Sequence, residues 1–177
     1  MSQVDGNRAV GIGSELSGTK NTASGDYSVA IGAAAQGTAA GATAIGKQAN
    51  ASKDDALAIG TGAAASESTA VAIGKSAAAS KTGALAAGTS AAASGDNATA
   101  LGTDTVAGTG AATAVGYGAS VTTDGTSWGG TAVGAKATVT GMNGVAVGRA
   151  SKASGKRAIA IGAGNNNNAT DSTEFTE

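Results

Sequence analysis

A glycine preceded by a small apolar triplet returns through this chain at an almost constant step. The anchors are Gly13, Gly32, Gly46, Gly60, Gly74, Gly88, Gly102, Gly116, Gly134, Gly148 and Gly162. Successive separations are 19, then 14 six times, then 18, then 14 twice, so the two exceptions are one period plus five and plus four residues. A fixed internal period means stacked units, each contacting only its neighbours, and it outweighs any local motif.

Each unit reads branched–Ala–branched–Gly, then x-x-Ala-x-Ala, then about five polar residues. The first branched slot holds Val29, Leu57, Val71, Leu85, Val145 and Ile159, with Thr43, Thr99, Thr113 and Thr131 in other units. The second holds Ile31, Ile45, Ile59, Ile73, Leu101, Val115, Val133, Val147 and Ile161. Ala is the best helix former, but branched residues at i, i+2 lie on no common helix face. Every fourteen residues also contain a Gly and several Ser, Thr, Asn or Asp. The alternation predicts two short strands per unit, with one turn at the anchor Gly and another at the polar stretch. The anchor is expected to adopt a backbone conformation closed to residues bearing a Cβ.

Two strands per unit and eleven units predict an all-β fold, a parallel β-roll of about eleven 14-residue coils. The chain has 177 residues, of which 30 are Gly, one is Trp, two are Tyr and one is Phe. With so few large side chains, the expected interior pairs the branched residues against small Ala across two sheets. On that reading the middle Ala of each triplet faces outward. Ala30, Ala44, Ala58, Ala72, Ala86, Ala100, Ala114, Ala132, Ala146 and Ala160 would then form a smooth stripe along the rod, a candidate surface for self-association around a symmetry axis. The other reading is that small residues there relieve crowding in a tight coil.

Much chemistry is excluded. There is no Cys and no His, which removes thiol catalysis, disulfides, His bases and the usual zinc sites. No catalytic, metal or cofactor residue is assigned, and the chain is expected not to be an enzyme. TAVAIGKS (Thr69–Ser76) approaches the phosphate-binding pattern G-x-x-x-x-G-K-[ST] without its first Gly, and GATAIGKQ (Gly41–Gln48) without its hydroxyl. The period dissolves both: Gly74 is an anchor, and Lys75 occupies a slot filled elsewhere by Thr61, Thr89 and Tyr117. The formal net charge is −1, with Lys47, Lys75, Arg149 and Lys152 read as solubilising charges, so no nucleic-acid partner is expected. No apolar run approaches the roughly 20 residues of a membrane span, so no direct membrane insertion is expected. MSQVDGNRAV lacks the regions of a signal peptide, leaving a cytoplasmic protein or a piece of a longer exported chain.

The repeat resembles the heads of trimeric autotransporter adhesins, the YadA-like or haemagglutinin repeats. Their unit N-S-V-A-I-G-x-x-S-x-A is similar to YSVAIGAAAQG at Tyr27–Gly37, and the likeness covers residues 8 to about 164. The resemblance implies a left-handed parallel β-roll in each chain and three rolls in one head. It also implies a place on the bacterial surface, anchored to the outer membrane by other parts of a longer chain, and a host matrix protein or cell-surface receptor as partner. In collagen-binding relatives the repeat units form the adhesive surface. The nearest match here runs from Asn143 to Ser151, with Gly144 where the family has Ser, which makes Asn143, Arg149 and Ser151 candidate ligand contacts.

The two longer separations predict insertions between the second strand and the next coil, at roughly Thr19–Tyr27 and Thr122–Gly130. Insertions in solenoids become loops that often bind, and the second adds Asp124 and Trp128 as candidate contacts. Trp128 is alternatively a plug packed across a neighbouring chain. The expected organisation is a head over 1–164 and a polar tail over 165–177. The expected function is a non-enzymatic adhesion module; the alternative is a passive spacer of a surface or phage fibre. An ice-binding solenoid would need an exposed Thr-x-Thr ladder, and the Thr residues are read as interior.

Overall fold

A computed structural model describes residues 2–123 and 129–163. Among these residues the chain forms 22 short strands in chain order and no helix. Odd-numbered strands have two residues, from β1 (Gln3–Val4) to β21 (Lys152–Ala153). Even-numbered strands have three, from β2 (Val10–Ile12) to β22 (Ile159–Ile161). The odd strands form one 11-stranded sheet and the even strands another, with each strand bonded to the one a coil away. Every pairing is parallel, as in Val71↔Leu85, Ala72↔Ala86 and Ile73↔Ala87. The fold is a parallel β-solenoid, and the strands predicted on either side of each anchor Gly are both present.

Two tight turns close each coil. At the anchor, Ala77 N–H donates to Gly74 C=O (3.3 Å); at the polar stretch, Ala70 N–H donates to Glu67 C=O (3.1 Å). Gly74 has φ 131°, and a Cβ placed on it would lie 2.5 Å from the carbonyl oxygen of Gly88 one coil on. No L side chain is comfortable at that φ, so the anchor column is glycine for two reasons at once. Each turn also carries a left-handed residue, such as Thr69 (φ 58°) and Ser76 (φ 56°). Stacking holds them there: Ser76 N–H donates to Thr61 C=O and Thr69 N–H to Asp54 C=O, each in the preceding coil.

The interior is the reverse of the sequence expectation. The middle Ala of each triplet points inward: Ala30, Ala44, Ala58, Ala72, Ala86, Ala100, Ala114, Ala132, Ala146 and Ala160 are all fully buried within the single chain. The branched residues beside them face outward and are only half-buried or exposed. The odd strands show why. Their inward residues are also small, as in Ala51, Ala65, Ala79 and Ala93. A fourteen-residue ring with two four-residue turns holds four inward side chains per coil, as with Ala42, Ala44, Ala49 and Ala51, all buried. At close-packed density such a ring has no room for Val or Ile in the triplet positions.

Departures from Ala inside the roll are matched in volume. Val121 and Val139 are the largest fully buried side chains, and they stand beside inward glycines: a Cβ on Gly130 would meet Val121 Cγ1 at 2.7 Å. Near the N-terminal end, Asn21 lies inside beside Gly11, whose added Cβ would come within 3.1 Å of its side-chain oxygen. The Asn21 Nδ2 donates to the carbonyls of Ala30 (3.0 Å) and Gly32 (2.9 Å). Thr105 and Ser151 are tolerated inside because each hydroxyl donates to its own anchor carbonyl, Gly102 at 2.8 Å and Gly148 at 2.9 Å.

The first insertion is not where its spacing suggested. It lies between the anchor Gly13 and strand β3 (Thr22–Ala23), before the short strand and not after it. Leu16 and Thr19 exchange two backbone hydrogen bonds (2.9 and 3.0 Å) around Ser17 and Gly18, which have φ 50° and 83°. Two successive positive φ values make a primed hairpin turn, for which Ser-Gly is suited. The second insertion does follow a short strand, β17 (Ser120–Val121), and ends at β18 (Thr131–Val133). Both extra lengths are absorbed without loss of register, since Val10 pairs Val29 and Thr113 pairs Thr131.

Candidate binding faces

Turning the alanines inward gives the roll two unlike outer faces. The even-strand face carries two columns of branched residues along its eleven strands, interrupted at Ala87 in β12 (Leu85–Ala87). They run from Val10 and Ile12 through Val29/Ile31, Leu57/Ile59 and Val71/Ile73 to Val145/Val147 and Ile159/Ile161. Ile12 is 60% exposed, Ile73 39% and Ile161 63%. The odd-strand face carries smaller and more polar side chains, among them Thr22, Gln36, Asn50, Ser120, Thr138 and Lys152, each alternating with an inward Ala, Gly or Val.

The threonines read as interior are also on the outer, even-strand face. Thr99, Thr113 and Thr131 are register partners in three successive strands. Their companions in the second slot are Leu101, Val115 and Val133, so each rung presents one hydroxyl and one apolar group. No Thr-x-Thr array results.

The structure separates the proposed ligand contacts. Asn143 is exposed at the polar turn, in the left-handed region with φ 55°. Arg149 is exposed at the anchor turn, beyond the other end of strand β20 (Val145–Val147). Ser151 is only 2% exposed and points into the roll. It therefore offers no surface contact; the hydroxyl that closes the repeat unit is occupied by the anchor carbonyl. Asp124 and Trp128 lie outside the described residues. The candidate stripe Ala30 to Ala160 is closed off inside the coil, so an interface cannot use it.

The phosphate-loop likeness ends in the same geometry. Gly74 N–H donates to Ile59 C=O at 2.7 Å and Ser76 N–H to Thr61 C=O at 2.9 Å. The amides that would hold phosphate are already spent in the ladder between coils, while Lys75 is exposed at the turn.

The surface that sequence reasoning missed is the pair of Val/Ile columns. Its signal was present in the second half of each unit, where x-Ala-x-Ala puts a small residue at both alternating positions. If both sheets offer only Ala inward, the branched residues have no place but outside.

Compared with known families, the chain matches the YadA head domain repeat over residues 17–35, 38–63, 51–77, 79–105, 129–151 and 140–165. No curated protein matches it. The matched segments cover most of the described coils, and their repeat is the one that places Gly in each anchor turn and Ala inside. The chain belongs to the YadA head family, the surface-exposed heads of trimeric autotransporter adhesins.

Proposed function

We propose that this chain forms a homotrimeric adhesive head, associating through its even-strand face and presenting the remaining surface to a host matrix protein or cell-surface receptor. The observation that carries the reading is the apolar face itself: two half-exposed columns of Val, Leu, Ile and Thr, broken once at Ala87, running the length of eleven strands. Contiguous apolar surface of that extent marks an association site. A core made almost wholly of Ala gains less from burial than one of Leu or Phe, at about 25 cal/mol per Å², so association adds the burial the roll lacks. Three identical chains around one axis use the same two patches repeatedly and close on themselves.

The head is assigned to residues 1–164, with 165–177 leading out of it toward the parts of a longer chain that anchor it in the outer membrane. The role is binding and not chemistry. Many weak contacts from three chains, repeated over many copies per cell, multiply into firm attachment.

Sedimentation equilibrium over a tenfold concentration range tests the assembly. A mass three times the 16.2 kDa chain, unchanged on dilution, is the expected result. A stable monomer overturns the trimer. Attachment of the trimer to immobilised matrix proteins or cultured cells tests the adhesive role, and a trimer that attaches to neither is a spacer.

A further inference from the structure

The formal net charge of −1 conceals a segregation of charge along the roll. From Gly125 to Thr170 the sequence has no Asp or Glu, but it holds Lys136, Arg149, Lys152, Lys156 and Arg157. All five cations are exposed. Four of them belong to one coil, the last among the described residues: Arg149 sits in its anchor turn, Lys152 points outward from β21, and Lys156 and Arg157 form the tip of its polar turn. Lys136 is one coil above, at the left-handed position of the anchor turn with φ 58°, its stem over Gly118.

These groups make a belt that runs across the odd-strand face, perpendicular to the roll axis. Its contour from Arg149 to Lys156 is at most about 23 Å, at roughly 3.3 Å per residue. Between the cations stand outward hydroxyls of Thr138, Thr140 and Ser154, all at least partly exposed. Tyr117, 56% exposed, lies two coils above Arg149 in the same turn column. The face is the one opposite the apolar columns.

We propose that this belt binds a flexible, sulfated or carboxylated polysaccharide. The shape selects the partner. A polyanion lying along the roll would leave the belt within two coils, about 10 Å, and meet Asp104 and then Asp96. A polyanion that engages all five cations must curve across the roll. Duplex DNA, with a persistence length of about 50 nm, does not follow such a curve. A planar bilayer reaches only one side of it. Single-stranded nucleic acid is held by rows of aromatic platforms, and the described belt has a single Tyr. A glycan chain bends, carries the required charge, and has hydroxyls to pair with Thr138, Thr140 and Ser154. The proposal rests on the adhesive reading for its purpose but not on the trimer.

The test is binding of a size-defined heparin fragment to the intact chain by titration calorimetry. Binding is expected at low salt, with log K falling linearly against log salt concentration as counterions are released. The double variant Lys156→Glu/Arg157→Glu should weaken it at least tenfold, while Lys75→Glu/Lys81→Glu, far from the belt, should change it less than twofold. Far-UV circular dichroism and sedimentation mass confirm that each variant keeps its fold and assembly. No heparin binding at low salt, an equal loss in both variants, or equal affinity for duplex DNA or for vesicles rich in acidic phospholipid would overturn the proposal. A chain that trimerises and attaches to matrix protein but ignores heparin removes this inference and leaves the adhesive reading standing.

Discussion

Val139 fills the space that Gly144 leaves open. A Cβ built on Gly144 would come within 2.9 Å of Val139 Cγ1, whereas the same two positions in six other coils hold Ala51 with Ala56, Ala65 with Ala70, Ala79 with Ala84, Ala93 with Ala98, Ala107 with Ala112, and Ala153 with Ala158, all buried. Core volume is thus conserved across the coil while its distribution changes. Gly144→Ala alone should destabilise the roll by about 1–3 kcal/mol through overpacking. Val139→Ala alone should cost about 1–2 kcal/mol by leaving a cavity. Together they restore the Ala–Ala pair, and denaturant unfolding should show the double variant more stable than the sum of the singles by about 1 kcal/mol or more.

At the anchor, Gly74→Ala should be severe. The residue has φ 131° and its added Cβ would meet backbone of the next coil at 2.5 Å, and backbone has nowhere to move in a stacked ladder. A loss of about 3 kcal/mol or more is expected from strain and clash together. Lys75→Ala, one residue on and exposed, should alter stability by less than about 0.5 kcal/mol. Thermal melts compare the two directly. Equal effects would show that the anchor turn tolerates a Cβ.

Thr69 is a β-branched residue held at φ 58°. That conformation costs an L residue roughly 1–2 kcal/mol, and three other coils place Gly41, Gly83 or Gly129 there with φ between 66° and 79°. Thr69→Gly should raise stability by about 0.5–1 kcal/mol after the entropy cost of glycine is subtracted. A lower melting temperature for this variant would contradict the strain argument.

Ala72 and Ile73 are neighbours with opposite duties. Ala72 is fully buried and Ile73 is 39% exposed. Ala72→Leu should overpack the coil by about 1–3 kcal/mol or more and lower the melting temperature whatever the assembly. Ile59→Ser with Ile73→Ser should leave β-type circular dichroism intact and lower the sedimentation mass toward that of one chain. If the mass is unchanged while Ala72→Leu dissociates the protein, the faces have been assigned the wrong way round.

The sequence alone determined the period, the number of coils, the two strands per coil and the glycine at each anchor turn. These are local properties: a repeat spacing, a two-residue alternation, and a backbone conformation that only glycine adopts readily. It also carried the family likeness, because the same pattern recurs from unit to unit. What the alternation of the triplet by itself left open was which of its sides lies inside. Alternation says that Val71 and Ile73 share a face and Ala72 takes the other, and it is unchanged when the strand is turned over. The usual preference for burying branched side chains pointed one way, and the closed coil decided the other. Four inward side chains meet in a ring of fourteen residues, and at close-packed density that ring accepts Ala in nearly every slot and excludes Ile. The position of the first insertion was undetermined for a related reason. Five extra residues fit at either turn as far as spacing is concerned, and only the hydrogen-bonded pairing of Leu16 with Thr19, beside the Asn21 that turns inward next to Gly11, settles which turn takes them.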